Sequence, residues 1–344
     1  MLDGVCKIGL VLTCFALLCL SDSPSANTPG TKENASPSNE AAKDGGLAFS
    51  KRSYSYKVVG DCRIQADVYR IPDDQVRPAI LWIHGGALIL GDREMVSVEQ
   101  LKRYLQLGCT VVSIDYRLAP ETKIKFIIED LQDAHKWMRE KGPELFRIDP
   151  DRIAVIGLSA GGYLTLMAGF CVNPRPKALV SFYGYGDIAG NWYSQPDPFY
   201  SKEPAVPKDE AYQAVGGSVI SGSRDEKRRR FYLYCRQQGL WSKEVTGYDP
   251  YKESKQFDPF CPVRNVTGDY PPTLLLHGDR DTDVPFEQSV LMSEELERHH
   301  VEHKLMRMHN LGHVFDSKGM KDPKIAETFD YVVAFLQKHL VRRA

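Results

Sequence analysis

An α/β fold, with a mostly parallel sheet covered by helices on both faces, is predicted by three features of this 344-residue chain. Runs such as AILWIHGG (79–86), CTVVSIDY (109–116) and RIAVIG (152–157) are almost continuously apolar, as strands buried on both faces must be. Stretches of helical spacing lie between them. In IEDLQDAHKWMREK (128–141), Ile128, Leu131, Ala134 and Trp137 or Met138 share one face. Strand and helix patterns alternate along most of the chain, and that alternation implies crossover connections that put helices over the sheet.

Taken in order, two strand-like stretches come first, about 54–59 and 62–70, joined by Gly60–Asp61. The second, CRIQADVYR, alternates as a half-buried antiparallel strand does. The apolar run at 79–86 ends in glycines and leads to a helix near 95–107, the strand at 109–116 and the helix at 128–141. RIAVIG runs into AGGYLTLMAGF (160–170), a helix, and ALVSFYG (178–184), TLLLHG (273–278) and HKLMRMH (303–309) complete the strands. Helices near 285–298 and 325–340 close the pattern. It breaks once, at about 186–263, where GNWYSQPDPFYSKEPAVP and SRDEKRRRFYLYCRQQGLW carry no strand signal. So long a stretch reads as an inserted, partly helical cap rather than a loop.

The N-terminus differs in kind. IGLVLTCFALLCL (8–20) follows Lys7 and is too short for a membrane span of about 20 residues, so residues 1–21 read as an export signal. A retained N-terminal anchor is the alternative. Residues 22–47, rich in Ser, Pro, Asn and Ala, read as a linker with little to bury. The folded domain is therefore expected at 48–344, secreted or periplasmic, with no stable membrane insertion. Its oligomeric state is not encoded in any pattern.

Lys and Arg total 44 against 45 Asp and Glu, a formal charge of −1, which argues against a nucleic-acid partner. The basic run EKRRRF (226–231) reads as a solvated helix face. Beyond residue 21 stand Cys62, Cys109, Cys171, Cys235 and Cys261, an odd number, with a Cys235–Cys261 bridge left open. His299 and His303 lie four apart without an H-E-x-x-H match and read as surface residues. No metal or cofactor is expected. Asn34 and Asn265 fit N-x-S/T.

The chemistry concentrates at Gly157-Leu158-Ser159-Ala160-Gly161. A nucleophilic hydroxyl must stand clear of the sheet, and a tight strand-to-helix turn achieves this only if small residues relieve the crowding. The competing reading makes Ser159 a plain helix N-cap. A base and an acid should come from two later loops: the acid after TLLLHG, the histidine after HKLMRM. His313, between Gly312 and Val314, is the stronger base, and His309 a structural residue. Asp279, Asp281 and Asp283 are all candidates for the acid. The backbone N–H groups of Gly86, Ala87 and Ala160 are candidates for stabilising an oxyanion. Trp192, Tyr193, Phe199 and Tyr200 come after a strand's C-terminal end, where they wall a substrate pocket or else pack the cap.

His84-Gly85-Gly86-Ala87, DYRLAPE (115–121), Gly157–Gly161 and HGDRDTDVP (277–285) together resemble the α/β-hydrolase superfamily, in its hormone-sensitive-lipase-like and feruloyl- and acetyl-esterase-like branch. The resemblance covers 55–340. It implies an α/β-hydrolase fold and a serine carboxylesterase that acts through an acyl-enzyme on Ser159, without cofactor. The D-x-x-V pattern implies Asp281 as the acid, and DYRLAP is structural, leaving Asp115 and Arg117 without catalytic roles. Ala87 stands where the family has the last glycine of HGGG, and DTDVP where lipase-like members have D-P-L. The second departure leaves the substrate open among small-molecule and carbohydrate esters, acetylated or feruloylated sugars included. An oligopeptidase-like peptidase would need a propeller for which the chain has no room. A non-catalytic binding protein on this scaffold is the remaining alternative.

Overall fold

The computed structural model describes residues 40–44 and 47–341. The expected export signal, residues 22–39 of the expected linker and Asn34 lie outside the described residues. Strand β1 (Glu40–Asp44) pairs antiparallel with β2 (Leu47–Val59), which turns at Gly60–Asp61 into β3 (Cys62–Arg70). Residues 40–44, read from their composition as linker, thus form an edge strand. Main-chain pairing holds such a strand, so it needs no apolar side chains of its own.

The parallel part continues as β4 (Arg77–Ile83), α1 (Val98–Gln106), β5 (Thr110–Ile114), α2 (Ile124–Phe146), β6 (Ile148–Leu158), α3 (Ala160–Cys171) and β7 (Ala178–Phe182). The insertion holds α4 (Asn191–Ser194), α5 (Lys208–Gln213), α6 (Glu226–Gln238) and α7 (Trp241–Thr246). The chain then returns through β8 (Thr273–Gly278), α8 (Glu287–Arg298), β9 (His303–Met308) and α9 (Pro323–Leu340). The strands lie in the order β1-β2-β3-β5-β4-β6-β7-β8-β9, parallel from β5 onward.

Register explains the apolar runs. Val112, Leu81, Val155 and Leu179 align across four strands and face a core built with α2, α3 and α8. Their neighbours Val111, Ile80, Ala154 and Ala178 align on the opposite face, against α1 and α9. Both faces are therefore covered, and the strands cannot alternate. On α2 the buried stripe is Ile128, Leu131, Ala134 and Met138, while Trp137 packs half-buried on Tyr54 and Phe146. Among the described residues no helix is long and apolar enough to cross a membrane.

The cap corrects two expectations. The run 226–231 is a solvated face only in part: Glu226, Lys227 and Arg229 are exposed, but Arg228 is 3% exposed, and further along α6 Arg236 is 2% exposed. Arg228 donates to the carbonyls of Ile89 and Ala119, each at 2.6 Å, and to both oxygens of Glu121 at 2.8 Å. It thereby ties the cap to the turn after β4 and to DYRLAPE. Cys235 and Cys261 are not bridged but free and buried, and the Cys261 thiol donates to Asp187 Oδ1 at 3.4 Å.

Asp115 and Arg117, expected to be structural, both have structural partners. Asp115 accepts from the backbone and guanidinium of Arg93, and Arg117 pairs with buried Asp130 at 2.7 Å. His299 pairs with Glu295 at 3.1 Å, and Asn265 donates to the carbonyls of Asp258 and Cys261.

Candidate active site

Ser159 occupies the turn between β6 and α3 with φ 54° and ψ −116°, a strained conformation for a residue with a side chain, of order 1–3 kcal/mol. Its own N–H is satisfied by Phe182 O at 2.9 Å. The flanking glycines are required by close approach. A Cβ on Gly157 would lie 2.1 Å from the carbonyl oxygen of Gly161, and one on Gly161 would lie 2.1 Å from that of Ile83. The start of α3 therefore rests directly on the exit of β4.

His313 lies in the loop after β9, and its Nε2 is 3.1 Å from Ser159 Oγ. Its Nδ1 is 2.7 Å from Asp281 Oδ2, so Nδ1 carries the proton and Nε2 is free to accept one. Asp281 sits after β8 with its side chain fully buried, and its Oδ1 accepts the N–H groups of Asp283 and Val284 at 2.8 and 2.9 Å. Burial alone would raise its pKa, but His313 and His277 outweigh that and hold it well below the usual carboxylate range. For His313, burial would lower the pKa, yet Asp281 and Asp283 prevail and raise it above 6.5. Edge-on packing of Tyr183, 4.6 Å away, fixes the imidazole, and the Tyr183 hydroxyl donates to Asp316 at 2.5 Å.

The three acids separate cleanly. Asp281 takes the imidazole. Asp279 accepts from Arg307 and Asn310 and pairs with exposed His309, which stands outside the site. Asp283 lies on the far side of the ring, its Oδ2 3.4 Å from Nε2.

The glycine-rich turn lies against the serine: a Cβ on Gly85 would be 3.3 Å from Ser159 Cβ. Gly86 and Ala87 both have positive φ, 104° and 55°, and the turn closes on Gly86 O through Ile89 and Leu90 at 2.9 Å. The N–H groups of Gly86 and Ala87 have no backbone acceptor among the described residues. Ala160 opens α3, where helical N–H groups are unsatisfied and the helix end is positive. His84, stacked on Tyr116 at 4.2 Å, bonds Gly85 O at 2.7 Å, and burial lowers its pKa to about 4. It is a neutral prop for the turn.

The cap contributes more than its sequence suggests. Trp241 donates its indole N–H to Ala87 O at 2.9 Å. Tyr193, 1% exposed, is sandwiched between Trp192 and Trp241, with ring centroids 3.6 and 3.9 Å away. Its ring face is therefore spent on cap packing rather than on walling a pocket, and Trp192 donates to Asp187 O at 3.0 Å. Sequence reasoning weighs Asp283 only as the acid and misses its two side-chain partners, Arg236 and Tyr232. Arg236 donates to Asp283 Oδ1 at 3.0 Å, pairs with Asp197 and lies 4.8 Å from the Tyr193 ring, and Tyr232 donates its hydroxyl to Asp283 Oδ1. Their signal is present in the pattern: Arg228, Phe231, Tyr232, Cys235 and Arg236 form one helical stripe.

Residues 80–317, more than half of the chain, match a family described as the alpha/beta hydrolase fold. This chain belongs to that family. The chain is similar in structure to carboxyl esterase 2 from the mycorrhizal fungus Tuber melanosporum, with TM-score 0.61 and 21% identity over 85% of this chain and 88% of that one. It is likewise similar to an alpha/beta hydrolase superfamily protein from Enterococcus faecalis, with TM-score 0.66 and 23% identity over 84% and 98% of the two chains. At these identities the likeness is one of fold. In sequence it is 30% identical to Esterase LipC of Mycobacterium tuberculosis over 232 residues, 67% of this chain and 51% of LipC. It is also 28% identical over 344 residues to the non-reducing polyketide synthase adrD of Penicillium rubens, covering 85% of this chain. The chain spans 14% of that synthase's length and about half of LipC.

Proposed function

We propose that this hydrolase is a serine carboxylesterase, and the observation that carries the reading is the hydrogen-bonded line Asp281–His313–Ser159 beside the Gly86–Ala87 turn. Ser159 Oγ attacks the ester carbonyl while His313 Nε2 takes its proton. Negative charge develops on the carbonyl oxygen, where the N–H groups of Gly86, Ala87 and Ala160 stabilise it. One such donor is worth roughly 10²–10³ in rate. The ester C–O bond breaks, the alcohol leaves with the proton from Nε2, and water then attacks the acyl-enzyme by the same relay. Asp281 keeps Nδ1 protonated and stabilises the imidazolium.

The substrate class we favour is a small carboxylic ester, acetylated and feruloylated carbohydrates included. What supports an ester rather than a peptide is the likeness to proteins named as esterases. A fluorophosphonate should label Ser159 in the native protein and not in S159A, with the adduct located by mass spectrometry. An ester panel varying acyl chain and alcohol then ranks substrates. A folded protein that neither labels nor hydrolyses any ester leaves only the binding-protein reading.

A further inference from the structure

Asp283 has no part in the relay, yet it is held against it, and any role for it in choosing substrates rests on the ester-hydrolysis reading. Its Oδ1 is fully engaged, accepting from the Tyr232 hydroxyl and from Arg236 Nη1 at 3.0 Å. Arg236 also donates to the Asp283 carbonyl at 2.9 Å, so the acid is clamped both at its side chain and at its backbone. The clamp itself is buried: Arg236 is anchored on Asp197 and lies over the rings of Tyr193 and Tyr200 at 4.8 and 5.0 Å. Oδ2 is thereby turned toward the imidazole, 3.4 Å from the nitrogen that also faces Ser159 Oγ at 3.1 Å. Tyr200 lies near this carboxylate too, which raises the pKa of its phenol, after burial itself.

Nε2 is the atom that hands its proton to the departing alcohol. The leaving oxygen and Oδ2 therefore gather around one nitrogen. A hydroxyl on the carbon next to the alkoxy carbon is three bonds from the leaving oxygen, and a gauche O–C–C–O arrangement brings the two oxygens within hydrogen-bond range of groups around the same nitrogen. Its O–H can donate to Oδ2, a carboxylate that can only accept. We propose that Asp283 is a specificity-determining residue that selects esters whose alcohol carries a vicinal hydroxyl, namely polyol and sugar esters, over esters of simple alcohols. No new bond is made or broken in this role: the ester C–O bond still cleaves, the leaving oxygen still takes its proton from Nε2, and Oδ2 holds the neighbouring hydroxyl. With that hydroxyl in place, the Nε2–H of the imidazolium no longer divides itself between Oδ2 and the leaving oxygen. One arginine faces two carboxylates, Asp197 and Asp283, so the cluster keeps negative charge and repels an anionic alcohol.

Propyl butyrate and 2-hydroxypropyl butyrate differ by this hydroxyl alone. The native protein should prefer the hydroxylated ester in kcat/KM by about tenfold or more, the scale of a hydrogen bond to a charged acceptor. In D283N the preference should fall to within about threefold, whatever happens to the absolute rates. A purely structural role would slow both esters alike and leave the ratio unmoved, which overturns the proposal. Should D283N not fold, the native protein answers by itself: the butyryl-enzyme should transfer to propane-1,2-diol in preference to propan-1-ol, and equal partition overturns the proposal. Hydrolysis of both esters at equal rates defeats this inference alone. No hydrolysis of either, with Ser159 unlabelled by fluorophosphonate, defeats the esterase reading along with it.

Discussion

The indole N–H of Trp241 donates to the carbonyl oxygen of Ala87 at 2.9 Å, joining the last cap helix to the turn that presents two of the three proposed oxyanion donors. Ala87 has φ 55°, a conformation that an alanine adopts only at a cost. The bond from the cap helps hold it there. W241F keeps most of the stacking on Tyr193 but loses the donor. Its kcat/KM should fall roughly five- to tenfold, mainly in kcat, as for loss of one neutral hydrogen bond. Steady-state kinetics on a short-chain nitrophenyl ester measures this, and an unchanged kcat would show that the turn is self-supporting.

Asp281 is isosteric with asparagine, so D281N preserves shape while removing the charge that fixes the imidazole tautomer. We expect kcat to drop by about 10³–10⁴ with the fold intact. S159A should fall at least as far. Circular dichroism beside the kinetics separates this from unfolding, and a D281N drop smaller than tenfold would point to another acid.

The reaction needs neutral His313, whose pKa lies above 6.5 because two carboxylates outweigh its burial. Below that raised pKa the imidazolium cannot accept the serine proton, so kcat/KM should decline with falling pH from a point above 6.5. D283N removes one of the two charges and should move this acid limb to lower pH. A limb in the same place for both proteins would mean that the imidazole does not feel Asp283.

Arg228 and Glu121 form a buried pair at 2.8 Å, each side chain 4% exposed. R228M removes the counter-ion of Glu121 and leaves its carboxylate the Gly216 N–H at 3.0 Å, and should cost about 3–5 kcal/mol in urea unfolding. The double variant R228M/E121Q should recover part of that loss. Burial alone would raise the Glu121 pKa, but Arg228 prevails and holds it below 4.5. The pair therefore stabilises the fold above pH 4.5, and this contribution is lost as the pH falls through the lower folded value. R228M should accordingly show a weaker acid destabilisation than the native protein.

How much of the fold and site is legible in the sequence tracks how local each signal is. Ser159 and its glycines carry their geometry within five residues, and His313 stands in the loop after a strand with a clear apolar pattern. The aspartates at 279, 281 and 283 look alike in sequence. They differ only in which N–H groups and which imidazole each one meets across the loop. Arg228 resists reading because an RRR run is usually solvated, and both it and Arg236 find their partners Glu121, Asp197 and Asp283 39 to 107 residues away along the chain. Tyr193 misleads likewise, since the ring that closes its sandwich belongs to Trp241.

The grip of Arg228 on the carbonyls of Ile89 and Ala119 is indifferent to the side chains at those two positions. Both positions are fully buried, so changes there that conserve volume need not unfasten the insertion, provided that Arg228 and Glu121 stay together. Apart from Trp241 and Arg236, which also reach the site, the insertion is thus at liberty to lengthen, shorten or change its lining while its root stays seated, so much of it can diversify without disturbing the catalytic frame.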